Sequence, residues 1–407
     1  MKPDWSKRIL FGFQHTLAMF GATVLVPFLT GLDISVALFS AGAGTLLFHM
    51  LTKKKVPVFL GSSFAFIPAI LGVKAVYATP GNPNAGLPYA TGGIFVAGLV
   101  YVLASGLIKL FGADIMKRLL PPVVIGPIII TIGLTLTPVA YGMAQSHWGV
   151  ALIAMVTVAL VTVFGKGLFK SLPILLGVGT GYAASFFFKL VKVQPIIDAQ
   201  ILALPRFMAP KFSWDAIAMV APIALVTMVE HLGDITTIGA TVKQDYITDP
   251  GLHRTLLGDG LATALAGLIG GPSNTTYSEN TGVLAVTKVY DPAVLRVAAV
   301  LAILMSVFGK FGALLSTIPE PVMGGISIIL FGMIASIGMR VMVENKIDFS
   351  SGRNMLIAAF VLTIGMMSVL GENNPAVINL GFIQLEGLSL ATIVGIVLNL
   401  VLPEETE

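Results

Sequence analysis

The chain has 407 residues, of which 56% are hydrophobic and 11% are charged, whereas about 25% of the residues of an average soluble domain are charged. This composition excludes an ordinary soluble protein, and membrane spans of about 20 residues each leave little chain for a soluble domain. The net charge of +4 is assigned to basic loops beside the bilayer, so nucleic acid is not an expected partner. The absence of cysteine excludes disulfide bonds and thiolate chemistry.

Apolar runs along the chain predict an all-α polytopic membrane protein with fourteen spans. The first two spans fall near residues 9–30 and 34–51, and a broken third span follows with Val56–Leu60 and Gly61–Pro68. The later spans fall near 92–110, 119–138, 149–165, 172–190, 214–236, 252–270, 273–286, 292–309, 321–338, 354–370 and 386–402. Most are uniformly apolar, but polar or helix-breaking residues interrupt the third span and the tenth.

The two interruptions predict a binding site. The third span contains Gly61–Pro68, in which glycine, serines and proline break the helix pattern. The tenth contains Ser273–Gly282, ten residues with no aliphatic side chain and with one carboxylate, Glu279. Irregular polar backbone at membrane depth is tolerated only where it is buried in protein or lines a cavity. We therefore expect the tenth span to form one wall of a site.

Loop charge predicts the orientation in the membrane, because cytoplasmic loops are enriched in Lys and Arg. With the N-terminus inside, the internal loops carry Lys53–Lys55, Lys109, Lys117, Arg118, Lys166, Lys170, Lys243, Arg254, Lys288, Arg296, Arg340, Lys346 and Arg353. The external loops 75–90, 139–148 and 371–385 carry none. Only the long external connection 190–213 disagrees. Both termini are expected on the cytoplasmic side.

Weak internal similarity divides the chain into two halves. Pro122–Gly133 matches Pro321–Gly332 at six of twelve positions, and Gln14-His15 corresponds in order to Glu230-His231. Each half contains seven spans, so the second half enters the membrane from the opposite side. Inverted repeats with interrupted helices at corresponding positions are typical of secondary transporters that bind their solute near the bilayer midplane.

Carboxylates inside spans are functional candidates by default. Glu230 and Asp234 are four residues apart and share one helix face. Two like charges in low dielectric cannot both ionise cheaply, so one of them is expected to hold a proton near neutral pH. Glu279 is a third carboxylate, expected to face the first two. The alternative is that some of these groups only form polar contacts between helices, most of all Asp234.

Three other ionisable residues receive less specific interpretations. His231 follows Glu230 but points about 100° away around the helix, so a structural hydrogen bond is at least as good an explanation as proton transfer. His15 is interpreted in the same way. Asp259 is placed near the inner end of the ninth span, where a solvated or capping role is expected.

These residues lie within stretches that resemble the nucleobase–ascorbate transporters, also called the nucleobase–cation symporter-2 family. The matching stretches are Gln14–Pro27, Leu60–Ile67, Glu230–Asp234, Asp249–Leu256, Asn274–Val283 and Pro319–Gly325. They extend from the first span to the twelfth, so the resemblance covers nearly the whole chain.

The resemblance implies two inverted repeats of seven segments, with short extended stretches in the broken third and tenth segments. It implies a core domain, residues 9–110 and 214–315, and a gate domain, residues 111–190 and 316–402. Homodimers through the gate domain are expected. It also implies proton-coupled uptake of a nucleobase, with uracil as the expected solute, by alternating access across the bacterial cytoplasmic (inner) membrane.

The resemblance also assigns residues by motif. Glu230 receives the nucleobase N–H groups, and Glu279 is a second, protonated substrate carboxylate. Phe64 and Tyr277 supply ring contacts and, with Ser278, backbone donors. The remaining assignments are Asp234, Glu279 and His231 for proton coupling, and Phe331, Gln14 and His15 for gate or secondary positions.

Some sequence differences leave alternatives open. Asp234 stands where some uracil carriers have His, and Ser278 where they have Gly. A purine (xanthine or urate) carrier and a sodium-coupled symporter are same-class alternatives. A channel explains neither the paired carboxylates nor the inverted halves. An intramembrane hydrolase is a remote alternative, because no H-E-x-x-H or G-x-S-x-G motif occurs. Neither an enzyme nor a cofactor or metal site is expected.

Overall fold

The computed structural model describes residues 4–112, 120–370, 377–379 and 384–403. These residues form a mostly helical bundle with two small two-stranded antiparallel sheets. Part of the loop-charge prediction falls outside the described residues: Lys117, Arg118 and most of the connection 371–385.

The elements of the first half are helical except for one short strand. They are α1 (Trp5–Thr30), α2 (Ile34–Leu51), β1 (Leu60–Ser62), a 3-10 turn (Phe64–Phe66), α3 (Ile67–Val76), α4 (Leu87–Phe111), α5 (Pro122–Thr135), α6 (Thr137–Ala144), α7 (Trp148–Phe164), a second 3-10 turn (Gly167–Ser171) and α8 (Pro173–Phe187).

The second half has the same character. Its elements are α9 (Gln194–Asp198), α10 (Trp214–Val220), α11 (Ile223–Val242), a wide turn (Ile247–Gly251), α12 (Leu252–Leu268), β2 (Asn274–Thr276), α13 (Ser278–Thr287), α14 (Pro292–Val307), α15 (Gly309–Ser316), α16 (Glu320–Glu344), α17 (Gly352–Leu370), β3 (Val377–Asn379), β4 (Gln384–Glu386) and α18 (Gly387–Val401).

Several helices begin where a short polar side chain accepts a hydrogen bond from the first turn, as N-caps do. Asp4 accepts from the backbone N–H of Lys7 at 2.9 Å, and Asp33 accepts from that of Val36 at 3.0 Å. Asp291 caps α14 and also accepts from the Arg8 guanidinium at 2.9 Å, which ties α14 to the start of α1.

The protein is a multi-pass membrane protein. Within the part of the chain that the structure describes, six helical stretches are long and apolar enough to cross a bilayer: α1, α2, α4, α5 with α6, α10 with α11, and α16. Six shorter apolar helical stretches accompany them. The predicted boundaries differ where α6 occupies 137–144, at the start of the expected 139–148 loop, and where α11 and α16 each continue six residues beyond the predicted ends at 236 and 338.

The helices pack in two groups. In one, α12 lies against α4 and α2, while α14 lies against α2 and α1. In the other, α16 packs against α5, α6 and α7, and α17 against α5 and α18. Helices α4 and α12 approach so closely that a Cβ atom at Gly98 would lie 2.4 Å from the backbone nitrogen of Ala264. Glycine is required at this crossing.

The connection between α8 and α10 is attached to one end of the first helix group. Four backbone hydrogen bonds hold it: Ala203 N–H to Val307 O at 3.0 Å, Gly309 N–H to Ile201 O at 2.9 Å, Met208 N–H to Ile269 O at 3.1 Å and Lys211 N–H to Pro88 O at 2.8 Å. The connection therefore covers the chain near the end of α14, the end of α12 and the start of α4.

Candidate functional site

Strands β1 and β2 bring the two interrupted stretches together inside the bundle. They pair antiparallel, with Leu60 opposite Thr276 and Ser62 opposite Asn274. The pairing is extended by the Ser63 N–H, which donates to Ser273 O at 2.8 Å. Because the strands run in opposite directions, the helical segments that follow them leave this crossing in opposite directions.

Each strand leads directly into a short helical segment. The turn that starts at Phe64 continues into α3, and α13 starts at Ser278. The first backbone N–H groups of a helix lack intrahelical partners and lie at its positive dipole end. Two sets of such donors therefore begin at the same crossing, one from each half of the chain.

Many polar groups around the crossing have protein partners, although the Asn274 Oδ1 and the hydroxyls of Ser63 and Thr275 are buried without a hydrogen-bond partner. The Asn274 amide donates to Ser40 O and to Ala262 O, both at 3.1 Å. Thr263 donates to Asn274 O at 2.9 Å, and the hydroxyl of Thr45 accepts from the Leu60 N–H at 2.8 Å. Polar backbone at this depth is thus paired, as burial requires.

Helix α11 places its carboxylates beside this crossing. The Thr276 hydroxyl donates to Asp234 Oδ2 at 2.6 Å, which joins β2 to α11. Glu230 lies within electrostatic range of Glu279, and Asp234 lies within range of both. The structure therefore brings together the three carboxylates that the sequence singles out.

The exposure of these side chains indicates a hollow between them. Glu230 lies within electrostatic range of Asp259 and Glu279, and its side chain is exposed to solvent. Ser278 is also exposed, while Phe64, Asp234 and Glu279 are half-buried. Side chains that meet beside the buried crossing and still reach solvent must border an internal opening.

The ring of Tyr277 is turned away from solvent. It is 4% exposed, and its hydroxyl donates to Ser62 O at 2.9 Å. A Cβ atom at Gly61 would lie 2.4 Å from the ring, so glycine is required opposite it. The Tyr277 side chain thus links the two strands, and its backbone N–H donates to Phe59 O at 3.1 Å, so neither the ring nor this N–H is free to contact a solute.

The secondary positions have different surroundings. His15 is buried in α1, where its Nδ1 lies 3.0 Å from the Asn280 amide and its carbonyl accepts from the same amide at 3.0 Å. Gln14 is half-buried. Phe331 is fully buried in α16 within an apolar cluster, and among the described residues no hydrogen bond or ring contact joins it to the carboxylates.

His231 points about 100° around α11 from Glu230 and is buried. Its Nδ1 lies 3.1 Å from Asp259 Oδ2, and both side chains are fully buried. The expectation that Asp259 is solvated or caps a helix is therefore wrong. Helix α12 begins at Leu252, which places Asp259 two turns inside it. The available sequence signal was a carboxylate flanked by Gly258 and Gly260, small enough to let neighbouring helices close around it.

The arrangement suits a small, planar, uncharged molecule with N–H and C=O groups on its edges. Carboxylates at Glu230 and Glu279 accept hydrogen bonds from N–H groups, and the first amides of two helical segments donate to carbonyl oxygens. The half-buried ring of Phe64 offers an apolar face. Among the described residues, no group of three His, Asp or Glu side chains is placed to hold a metal ion.

Comparison with known proteins agrees with this chemistry. The model of the family Xan_ur_permease, described as the permease family, matches residues 6–373. The chain is 45% identical to the "Probable uracil permease" of Haemophilus influenzae, over 98% of this chain and 95% of that protein. It is 42% identical to the "Uracil permease" of Bacillus caldolyticus, over 99% and 93% of the two chains. These matches confirm the resemblance seen in the motifs, and the relatives are named as permeases, not as enzymes.

Among solved structures, the fold is similar to the transmembrane domain of a cyanobacterium bicarbonate transporter, BicA. The TM-score is 0.63 with 15% identity, and the match covers 98% of each chain. At this identity the likeness concerns the fold alone.

Proposed function

The chain belongs to the permease family, and on this premise we propose that it is a secondary active transporter that couples uracil uptake to proton entry. The observation that carries the proposal is the meeting of Glu230 and Glu279 at one hollow, beside the first amides of two helical segments. The similar proteins named uracil permeases support uracil as the solute.

In the proposed binding mode, Glu230 accepts the ring N–H groups of uracil and Glu279, in its protonated form, contributes a second contact. The backbone amides that begin at Phe64 and Ser278 donate to the carbonyl oxygens, and the Phe64 ring covers the base. The Tyr277 ring positions the strands, since it is buried against Gly61.

Proton coupling is assigned to Asp234 and Glu279. Both border the hollow, and Asp234 is held by Thr276. His231 is paired with Asp259, and both side chains are fully buried, which supports a positioning role for this histidine. Protonation neutralises the site, uracil binds, and one helix group then moves against the other.

The driving force is sufficient for accumulation. A proton that enters down a potential of about 100 mV releases roughly 2.3 kcal/mol. A pH difference of one unit adds about 1.4 kcal/mol. Because each 1.4 kcal/mol corresponds to about tenfold accumulation of a neutral solute, one proton for each base is enough.

The proposed architecture has fourteen membrane segments in two inverted repeats. The twelve apolar helical stretches, together with α12 and α13, are consistent with this number. The third and tenth segments are the ones interrupted at β1 and β2. The helix group that contains α12 is the core domain, and the group that contains α16 is the gate domain. Both termini lie in the cytoplasm of a bacterium, and the gate domain forms the homodimer contact.

The test is uptake of labelled uracil into vesicles that contain the purified protein, under an imposed proton gradient. We expect accumulation that collapses when the gradient is dissipated and that persists when choline replaces sodium at constant pH. Unlabelled xanthine and urate should compete poorly. Strong competition would favour a purine carrier, and dependence on sodium would favour a sodium-coupled one.

The site assignment is tested separately with Glu230→Ala, which should abolish uracil binding. Glu320→Ala is a matched control, because Glu320 is an exposed carboxylate at the start of α16. Retention of tight uracil binding in Glu230→Ala would refute the assignment, whereas loss in both variants would indicate a general effect on folding.

A further inference from the structure

Arg296 lies on the outward face of α14, one turn after the helix begins. Helix α14 starts at Pro292, so at 1.5 Å per residue Arg296 is about 6 Å along it. Positions 296, 300 and 304 are four residues apart and share one face. Val300 and Leu304 are 46% and 56% exposed. Because an exposed apolar row on a membrane helix faces lipid, the arginine stands at the end of a lipid-facing row.

The guanidinium of Arg296 lacks a protein partner. Its Nη1 is buried and makes no hydrogen bond, and none of the ion pairs within the described part of the chain includes it. The other arginines of the described helices all have a partner. These partners are Asp291 for Arg8, Leu51 O for Arg254, Glu344 for Arg340 and Asn399 for Arg353. Since a cation inside a span normally pairs with another side chain or with a backbone carbonyl, the partner of Arg296 comes from outside the chain.

Helix α2 borders Arg296 on one side. The two helices pack closely, since a Cβ atom at Gly42 would lie 2.5 Å from Ala299 O. Near the end of α2, His49 lies within electrostatic range of Arg296. His49 is fully buried, and its Nδ1 also lacks a hydrogen-bond partner among the described residues. An unpaired cation and an unpaired ring nitrogen therefore lie at the junction of α2 and α14.

A basic turn follows α2 at the same end. The Lys54 N–H donates to His49 O at 2.7 Å, which fixes Lys53 and Lys54 close to the end of the helix. Both lysines are exposed, and the nearby carboxylate of Asp249 is paired with Lys55. By the loop-charge rule, this end of α2 lies at the cytoplasmic surface. The turn therefore adds positive charge at the inner membrane surface beside the unpaired arginine.

We propose that Arg296 binds the phosphate of an anionic phospholipid in the inner leaflet, and that the acyl chains of this lipid lie along Val300 and Leu304. A guanidinium forms strong charge-assisted hydrogen bonds with phosphate oxygens, and basic pockets between membrane helices on the cytoplasmic side bind phospholipid head groups. Lys53 and Lys54 attract a head group with a net negative charge, which a zwitterionic lipid lacks. We call Arg296, Lys53 and Lys54 the lipid site.

The lipid site is separate from the proposed solute site. It is formed by α2, α14 and the turn after α2, whereas Glu230 and Glu279 belong to α11 and α13. A bound lipid supplies the acceptor that Arg296 lacks and so stabilises the helix group that contains α12 and α14. The lipid site does not rest on the proposed function, because lipid binding is measured without transport.

The test is binding of phosphatidylglycerol to the purified full-length protein in an uncharged detergent, counted by native mass spectrometry. We expect Arg296→Gln to lower the affinity by about fivefold or more, the factor that one basic residue contributes near an anionic membrane surface. Arg296→Lys keeps the charge and should bind more tightly than Arg296→Gln. The matched control is Arg340→Gln, because the Arg340 side chain is 64% exposed and pairs with Glu344 on its own helix. This control should bind like wild type, and equal affinity of wild type and Arg296→Gln would overturn the proposal.

Further measurements identify the ligand. Phosphatidylcholine carries a phosphate but no net charge, so it should bind weakly and equally to wild type and Arg296→Gln. An excess of inorganic phosphate should leave phosphatidylglycerol bound, and its displacement would indicate a site for free phosphate instead of a lipid.

Thermal denaturation provides a second readout of the lipid site. Phosphatidylglycerol should raise the melting temperature of wild type more than that of Arg296→Gln. Without lipid, the two proteins should melt at similar temperatures, because the substitution removes no hydrogen bond within the protein. A clearly lower melting temperature of Arg296→Gln in the absence of lipid would show that the guanidinium has a protein partner and would overturn the proposal.

Discussion

The Thr276 hydroxyl donates a 2.6 Å hydrogen bond to Asp234 Oδ2, so a strand of the central crossing holds a carboxylate of the neighbouring helix. The two residues are 42 positions apart in the chain. The contact connects the elements that are proposed to bind the solute and the proton.

Replacing Thr276 by Val removes this donor at nearly constant volume. Hydrogen bonds to charged groups contribute about 1.5–3 kcal/mol, so we expect the initial rate of uracil uptake at low concentration to fall by about tenfold or more. Thr276→Ser retains the hydroxyl and should recover most of the rate. Equal uptake by the Val and Ser variants would show that Asp234 does not need this donor.

The buried pair of His231 and Asp259 predicts a stability effect. Removing one partner of a buried polar pair leaves the other group unsatisfied, which costs about 1–3 kcal/mol and more for a charged group. We expect Asp259→Leu to lower the melting temperature of the purified protein markedly.

The matched control for this pair is the double variant His231→Leu, Asp259→Leu. With both polar groups removed, part of the stability lost in Asp259→Leu should return. If the double variant loses as much stability as the single variants Asp259→Leu and His231→Leu together, the two side chains act independently.

The close contact between Gly44 and Asn274 predicts coupled effects. A Cβ atom at Gly44 would lie 2.5 Å from Asn274 Nδ2, which donates to Ser40 O and Ala262 O. Asn274→Ala should destabilise the protein by about 1–3 kcal/mol, because buried carbonyls lose their donor. Gly44→Ala should also destabilise it, by displacing the same amide.

The two changes should not be additive. If both act through the Asn274 amide, the double variant Gly44→Ala, Asn274→Ala should cost less than the sum of the single variants in thermal denaturation. Additive losses of stability would show that Gly44→Ala acts through other contacts between α2 and α12, and not through the Asn274 amide.

A pH-dependent contribution is expected at the surface. Lys55 donates a hydrogen bond to Asp249 and, with its charge, lowers the pKa of this exposed carboxyl. Since the folded pKa lies below the unfolded value of about 3.9, the pair stabilises the folded state above that value. The contribution is lost as the pH falls through the folded pKa.

Lys55→Met should therefore lower the melting temperature slightly at pH 7 and have no effect once the pH is below both pKa values. Lys54→Met is a suitable control, because Lys54 is an exposed neighbour outside this pair. If the melting temperatures of Lys55→Met and wild type still differ under acid conditions, the effect comes from packing of the lysine methylene groups and not from the ion pair.

Much of this protein was predictable from local pattern. Hydrophobic runs depend only on composition and length, so the membrane class and most helices follow from the sequence. The polar stretch Ser273–Gly282 and the spacing of Glu230 and Asp234 also identified candidate residues, because polar groups in apolar spans are costly unless they have a use. The motifs placed the chain in its family.

Only the tertiary structure decided how these residues meet. The pairing of Ser62 with Asn274, the burial of Asp259 against His231 and the inward turn of the Tyr277 ring join residues that are distant in sequence. Local periodicity specifies the face of a helix but not the neighbour that covers it.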